Sequence, residues 1–425
     1  MDLLKYVKES FWILFGQVFS ILGSLVLIKI LTNYLNPNQY GILSLVLSFE
    51  VGINQILMGG LIAGTSRYYP VAKEKKDLIN FFKDTKKIFL VSTIIIIALG
   101  IITFFINYFF YNSSYHILIL CVIIFSIFSS GNSVLTGIQN AARKRKISAI
   151  QRLLDVWVKI SIIIILLNNF EASTESVLIA YLISSLSVFI VSYWLIQKLI
   201  VKEKSRVNNN NNWLYNIFMY SWPFSLWGIF TWLQQISDRW ALEIFNSSYN
   251  VGLYSVLNQL GYVPMVLVTN FGITFLNPII FEKYGDGSDP NRRANVNRLI
   301  WRITLFSLFF VIIVFLLLLS LHNNIFEIFV SKKYWSVSYL LPWFALSGGI
   351  FSTAQFLSTK VHADRITKRL INIKISTSII GIGLSMYFAK VRGLSGIAIS
   401  SNIFSFLYFI WITIIVFNLI KKENE

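Results

Sequence analysis

The chain has 425 residues, 56% of them hydrophobic and only 13% charged, where soluble domains run at about 45–50% and about 25%. A soluble protein of this length could not stay monodisperse with so much apolar surface, which excludes a soluble enzyme or binding module. The formal charge of +18 would suggest nucleic acid in a soluble protein; here the basic residues sit between apolar segments and report topology, so no nucleic-acid partner is expected.

Apolar stretches of about 20 residues, enough to cross a hydrocarbon core as helix, recur along the whole chain. Twelve spans are expected, at residues 11–35, 41–64, 88–110, 116–138, 150–168, 176–198, 215–237, 251–280, 303–321, 336–359, 370–389 and 394–419. Backbone left unpaired in lipid is expensive, so each must be helix or part of a closed barrel. Length and the lack of strict alternation select helix: an all-α polytopic membrane protein. The first span follows Lys5 and Lys8 but has no short apolar region with a cleavage site, so it reads as retained and not as a signal peptide.

Lysine and arginine set the orientation. With the N-terminus in the cytoplasm, thirty of the 37 fall in the even-numbered loops and the two termini. Four, Lys332, Lys333, Lys390 and Arg392, fall outside. Both termini are therefore expected in the cytoplasm. The longest polar break, residues 201–212 with the run Asn208 to Asn212, reads as a cytoplasmic linker between an N-terminal six-helix lobe (1–200) and a C-terminal one (213–425). Gly41-Ile-Leu-Ser44 parallels Gly252-Leu-Tyr-Ser255, and Ala142-Arg143-Lys144-Arg145 parallels Ala363-Asp364-Arg365. Both offsets agree with half the chain. Repeats of six spans share one orientation and leave a cavity between the lobes.

Ionisable groups at membrane depth each cost roughly 2.5–3.5 kcal/mol on insertion scales, so they mark candidate function. Lys29, Glu50, Asp155 and Lys159 qualify. Glu50 shares a helix face with Asn54, and Asp155 with Lys159 has the spacing of an intrahelical ion pair. In span 7, Thr231, Gln234 and Asp238 share a face; in span 8, Ser255, Asn258, Gln259 and Tyr262 do. Such faces line wet cavities or hold helices together, and their recurrence on spans 1, 2, 7 and 8 favours a cavity. Arg67 and Arg302 lie near span ends, within reach of an anionic ligand. Pro223, Pro264 and Pro342 fall inside spans as kinks or bending points. The lone Cys121 and scattered His116, His322 and His362 suggest no metal site and no cofactor. No phosphate-cradling glycine loop and no H-E-x-x-H is present, the outside loops are short, and the first of them is neutral. A carrier is the better class than an enzyme.

Leu35-Asn-Pro-Asn-Gln-Tyr-Gly41, Arg67-Tyr-Tyr-Pro70, Tyr220-Ser-Trp-Pro-Phe224, Asp238-Arg239 and Val251-Gly-Leu-Tyr254 together resemble the polysaccharide-unit flippases of the Wzx group, in order and spacing and along the whole chain. The resemblance implies the multidrug/oligosaccharidyl-lipid/polysaccharide exporter superfold, MATE-like, in a bacterial inner membrane. It implies an undecaprenyl-pyrophosphate-linked oligosaccharide moved outward by alternating access for O-antigen, capsule or exopolysaccharide synthesis, among membrane lipids and with a polysaccharide polymerase and a chain-length regulator as partners. A cationic cavity is implied too; Lys29, Arg67, Lys159 and Arg302 are candidates for it by depth and charge, beside Asn54, Gln234, Asn258 and Gln259. Glu50, Asp155 and Asp238 are candidates for ion coupling. An ion-coupled drug or cation antiporter of the same superfold remains the alternative. Lipid II flippases usually have two more spans, and a membrane glycosyltransferase or polymerase fits less well.

Overall fold

A computed structural model describes residues 3–111, 115–202, 212–285, 289–364 and 367–424. The linker expected at 201–212 lies, over 203–211, outside the described residues, as does Arg365.

The first helices are α1 (Leu3–Tyr34), α2 (Pro37–Ile53), α3 (Gly59–Glu74), α4 (Leu78–Ile106), α5 (His116–Ala141), α6 (Arg145–Asn169) and α7 (Thr174–Lys202). They are followed by α8 (Trp213–Phe245), α9 (Ser248–Leu257), α10 (Val263–Tyr284), α11 (Pro290–Phe329), α12 (Leu341–Ala363) and α13 (Thr367–Asn424). Two of the joints are single π turns, Asn54–Met58 between α2 and α3 and Asn258–Tyr262 between α9 and α10; each pair therefore runs as one rod. Among the described residues, nine segments are long and apolar enough to cross a membrane. One of them is two helices, because α13 breaks at Gly393, where φ is 58°. Glycine reaches that region without the Cβ clash other residues suffer. Of the remaining rods, α6 has membrane length but carries Arg145, Lys146, Arg152, Asp155 and Lys159, and α8 carries Gln234, Gln235, Asp238 and Arg239. With these the rods number the twelve expected.

The chain forms two compact units. The first holds residues up to 35 and 42–232. In it α1 packs on α6, and α5 packs on α3, α4 and α7. Its core joins Met58, Leu61, Phe81, Ile138, Trp213 and Ile217, all nearly or fully buried. The Trp213 indole donates to Asp77 at 2.7 Å and the Leu214 amide to Asp84 at 3.2 Å, which ties the start of α8 to the α3–α4 corner. Gly60 and Gly64 let α3 lie directly on α8: a Cβ on Gly60 would meet the Ser221 carbonyl, and one on Gly64 the Ser221 hydroxyl.

The second unit holds residues 36–41 and 233–425. Here the two parallel sequence motifs meet. A Cβ on Gly41 would overlap the Ser248 carbonyl oxygen, and one on Gly252 would overlap the Pro37 carbonyl oxygen. The starts of α2 and α9 thus cross backbone to backbone, each glycine under the other helix. Around α12 gather α10, α11 and α13, with Ile280, Ile300, Leu357, Val361, Tyr408 and Ile412 in the core.

Three sequence expectations need correction. Lys360, one residue past the span expected at 336–359 and so in the cytoplasmic loop that follows it, is fully buried on α12; its ammonium pairs with Asp364 at 2.8 Å and lies 3.3 Å from the Tyr284 hydroxyl, which also donates to Asp364. The i,i+4 spacing neutralises the charge, so the core can accept it. Pro342 does not interrupt a helix: it occupies the first turn of α12, where the missing N–H has no intrahelical partner to lose. Span 7 continues to Phe245, so Asp238 stands within α8 and not at its end.

Replacing Gly41 or Gly252 by alanine forces the crossing apart and is expected to cost about 1–3 kcal/mol, the usual range for overpacking. Gly383→Ala, where nothing lies within 4 Å of the added Cβ, serves as control. Thermal unfolding of the purified variants in detergent decides: equal Tm for all three means the crossing does not hold the unit.

Candidate functional site

The first unit contains a cavity of about 400 Å³. Its wall is built mainly by α5 and α6. On α5, Ser129, Asn132, Ser133, Thr136 and Asn140 repeat at three- and four-residue intervals and therefore share a face; on α6, Gln151, Arg152 and Asp155 face the same space, with Ser20 of α1. The Asn132 amide donates to the Ser185 carbonyl at 2.9 Å, and Gln151 donates to the Asn132 carbonyl at 3.3 Å. One N–H of each amide is thus used. Their acceptor oxygens, Asn132 Oδ1 and Gln151 Oε1, are buried without a hydrogen-bond partner among the described residues. A buried, unsatisfied acceptor costs about 1–3 kcal/mol.

Arg152 and Asp155 line this wall, and Glu50 and Lys159 lie beside it. Glu50 accepts from Ser129 at 2.6 Å and from Asn54, one helical turn along. Asp155 and Lys159 form the intrahelical pair at 3.4 Å, and the Lys159 ammonium lies 4.7 Å from the centre of the Tyr181 ring. A cation over an aromatic face is held by the ring quadrupole. Lys159 and Asp155 both act electrostatically on Glu50. Arg152 reaches Gln17 of α1 at 3.4 Å.

A second polar network sits in the second unit. Asp238 of α8 accepts from Tyr254 at 2.9 Å, Ser385 at 2.6 Å and Ser401 at 3.4 Å. Asn258 donates to the Tyr254 hydroxyl at 3.2 Å, and the Arg239 guanidinium lies 5.6 Å from the Tyr254 ring. Four helical segments are thereby tied to one carboxylate: α8, α9 and the two halves of α13.

Of the residues singled out from the sequence, Glu50, Asn54, Asp155 and Lys159 come together in the first unit. Asp238 and Asn258 share the second network. Gln259 instead accepts from Tyr40 at 3.2 Å, near the glycine crossing, and Gln234 packs its stem against the Gly381 position. Lys29 is half-buried on α1 and is not part of the cavity lining. Arg67 is exposed on α3, and Arg302 is exposed in a cleft of its own. The α5 stripe and Arg152 were missed. The stripe was legible, since five polar residues at helical spacing interrupt an apolar span. Tyr181, Ser385 and Ser401 offered no such signal.

A family model described as "Polysaccharide biosynthesis protein" matches residues 6–284. The chain belongs to that family. No curated protein matches it in sequence. Among solved structures, a lipid II flippase, MurJ, in an inward closed conformation superposes with a TM-score of 0.71 at 18% identity, covering 96% of this chain and 87% of that one. An inward-facing multidrug resistance MATE family transporter of the MOP superfamily gives 0.68 at 16% identity, covering 95% and 96%. A mutant of the MATE transporter VcmN of Vibrio cholerae gives 0.65 at 12% identity, covering 99% and 97%. At such identities the likeness is one of fold. This member of the polysaccharide biosynthesis family is a multi-pass membrane protein with the all-helical fold of those transporters.

Tyr254→Phe and Ser385→Ala each remove one donor from Asp238. Each is expected to lower stability by about 0.5–2 kcal/mol, the range for such bonds between helices in membranes, and the pair to deviate from additivity because both bond one carboxylate. Thermal unfolding of the singles and the double measures this; additive, negligible shifts would mean the carboxylate is held by something else.

Proposed function

We propose that the protein flips an undecaprenyl-pyrophosphate-linked oligosaccharide from the cytoplasmic to the outer leaflet of a bacterial inner membrane by alternating access, supplying O-antigen, capsule or exopolysaccharide synthesis. The observation that carries this reading is the chemistry of the first unit's cavity. Pockets for drug-like ligands are lined predominantly by apolar and aromatic side chains. This one is lined mainly by amides, hydroxyls and charges, beside Ile62, Gly137, Val156 and Val188. Sugar hydroxyls are the donors that fit such a wall, and membership of a polysaccharide biosynthesis family supports the same substrate class.

Within this reading Lys159 and Arg152 attract the negatively charged headgroup, while Asn54, Asn132 and Gln151 take hydroxyls. Lys29, Arg67, Gln234, Asn258 and Gln259 are assigned to the same passage on weaker grounds, by polarity and expected depth alone. Ion coupling falls to Glu50 and Asp238, each held by neutral donors, and to Asp155 beside Lys159. The N-terminal lobe of residues 1–200, the linker 201–212 and the lobe 213–425, with both termini in the cytoplasm, complete the proposal, and a polymerase and chain-length regulator are its proposed partners. The second reading, a drug or cation antiporter, draws support from the MATE structures that share the fold.

Purified protein in proteoliposomes with a fluorescent undecaprenyl-pyrophosphate oligosaccharide tests the choice. Protein-dependent movement of the label between leaflets is expected, reduced about tenfold or more by Lys159→Ala or Gln151→Leu, since a hydrogen bond to a charged or buried group is worth roughly that factor. A label that stays put while an organic cation is extruded on an ion gradient selects the antiporter.

A further inference from the structure

The second unit carries a cleft of about 680 Å³ between the end of α10 and the start of α11, lined by Glu282, Lys283, Arg292, Asn295, Arg298 and Arg302, together with Leu299. Four cations thus face one carboxylate. Among the described residues none of the four lies within ion-pair distance of an acidic side chain. Arg292, Asn295, Arg298 and Arg302 recur at three- and four-residue intervals and occupy one face of α11, opposite the buried Val296, Asn297 and Ile300. Arg298 and Arg302 stand one turn apart, where like charges repel and destabilise the helix by a few tenths of a kcal/mol. The cleft is more than the end of a helix, since Asp289 already caps α11 by accepting from the Asn291 amide at 2.8 Å. Topology alone accounts for the sign of these charges but not for the convergence of four of them on one concave face beside a single carboxylate.

Depth narrows the ligand. Residues 303–321 carry no charge, so Arg302 marks the level at which α11 enters the hydrocarbon. Arg292 lies ten residues earlier, about 15 Å further out at the helical rise. A ligand filling the cleft therefore begins at the membrane surface and extends into water on the side that the basic residues mark as cytoplasmic. We propose that the cleft binds the phosphate groups of a lipid headgroup, with Lys283, Arg298 and Arg302 on the phosphates and Arg292 and Asn295 toward the more distal polar groups. Guanidinium groups suit phosphate because their planar donors bind it in pairs. That the lipid is the diphosphate-linked sugar awaiting transport rests on the function proposed above; an anionic phospholipid offers the same phosphate chemistry.

Full-length protein in neutral phosphatidylcholine nanodiscs, examined by native mass spectrometry, separates these. The probes are a short-chain polyprenyl diphosphate, phosphatidylglycerol and inorganic pyrophosphate. Arg298→Ala/Arg302→Ala is expected to weaken lipid binding by tenfold or more, at roughly tenfold for each charge-assisted hydrogen bond removed. Both side chains are exposed, so truncation spares the core, and Arg298→Gln/Arg302→Gln is a second variant should the first fail to fold. Preference for the polyprenyl diphosphate supports a loading site for the substrate; equal binding of phosphatidylglycerol supports a general phospholipid site. Wild-type affinity in the double variant overturns the proposal. So does an equal loss in Lys83→Ala/Lys86→Ala, exposed on α4, which would reduce the effect to net charge, and so does pyrophosphate binding as tightly as either lipid. Because binding is read without transport, a failed flipping assay beside intact lipid binding removes only the proposed function.

Discussion

Inside hydrocarbon no water completes a broken hydrogen bond, and this chain's polar side chains are arranged accordingly. Many simply return to their own helix: Thr65 donates to the Leu61 carbonyl at 2.8 Å, Ser255 to Val251 at 2.7 Å and Thr377 to Ile373 at 2.8 Å. Such bonds cost the helix nothing in partners and let hydroxyls ride through an apolar span. The groups that cannot be satisfied locally are few, and they decide where helices meet. Glu50 reaches α5, Asp238 reaches both halves of α13, and Lys360 with Asp364 reaches Tyr284 of α10. Each is a polar bolt through an otherwise apolar bundle. Such bonds are worth about 1–2 kcal/mol or less in membranes, so they specify register more than they add stability.

Close backbone approach supplies the complementary half of the architecture. Without a hydrophobic drive between helices in lipid, packing depends on how near the backbones can come. Gly60 and Gly64 against α8, and Gly41 with Gly252 under one another's helices, are among the places where this chain brings them close. The glycine crossing lies in the two segments whose sequences parallel each other, so internal likeness here coincides with a shared packing task.

Hydropathy made the rods legible because burial in lipid is a property of a whole segment. It also concealed details. Lys360 sits in Ser358-Thr359-Lys360-Val361-His362, a polar stretch that reads as the end of a span; Asp364 follows at the readable i,i+4 spacing, but nothing local announces that a tyrosine 76 residues earlier will join the pair. The Asp155–Lys159 pair was readable because both partners lie on one helix. Glu50 with Asn54 was readable for the same reason. Ser385 and Ser401 were not, since their contact with Asp238 depends on how α8 and α13 are rotated about their axes, and rotation leaves no trace in a single sequence. The α5 stripe is equally local, five polar residues at helical spacing inside an apolar span.

Two of the π turns begin at Asn54 and Asn258, and each of these asparagines belongs to one of the two acidic networks. A π turn holds one residue more than the α turn it replaces, and π turns gather at functional sites. Were either to relax to α geometry, everything beyond it would swivel by about 100°, the angle one residue subtends. In the first unit that swivel would carry Gly60 and Gly64 off Ser221 and bring side chains in their place. Each rod therefore contains a screw thread one residue deep, and the hand on the screw is an asparagine already bonded into the acidic network, to Glu50 itself in one unit and to the tyrosine that holds Asp238 in the other.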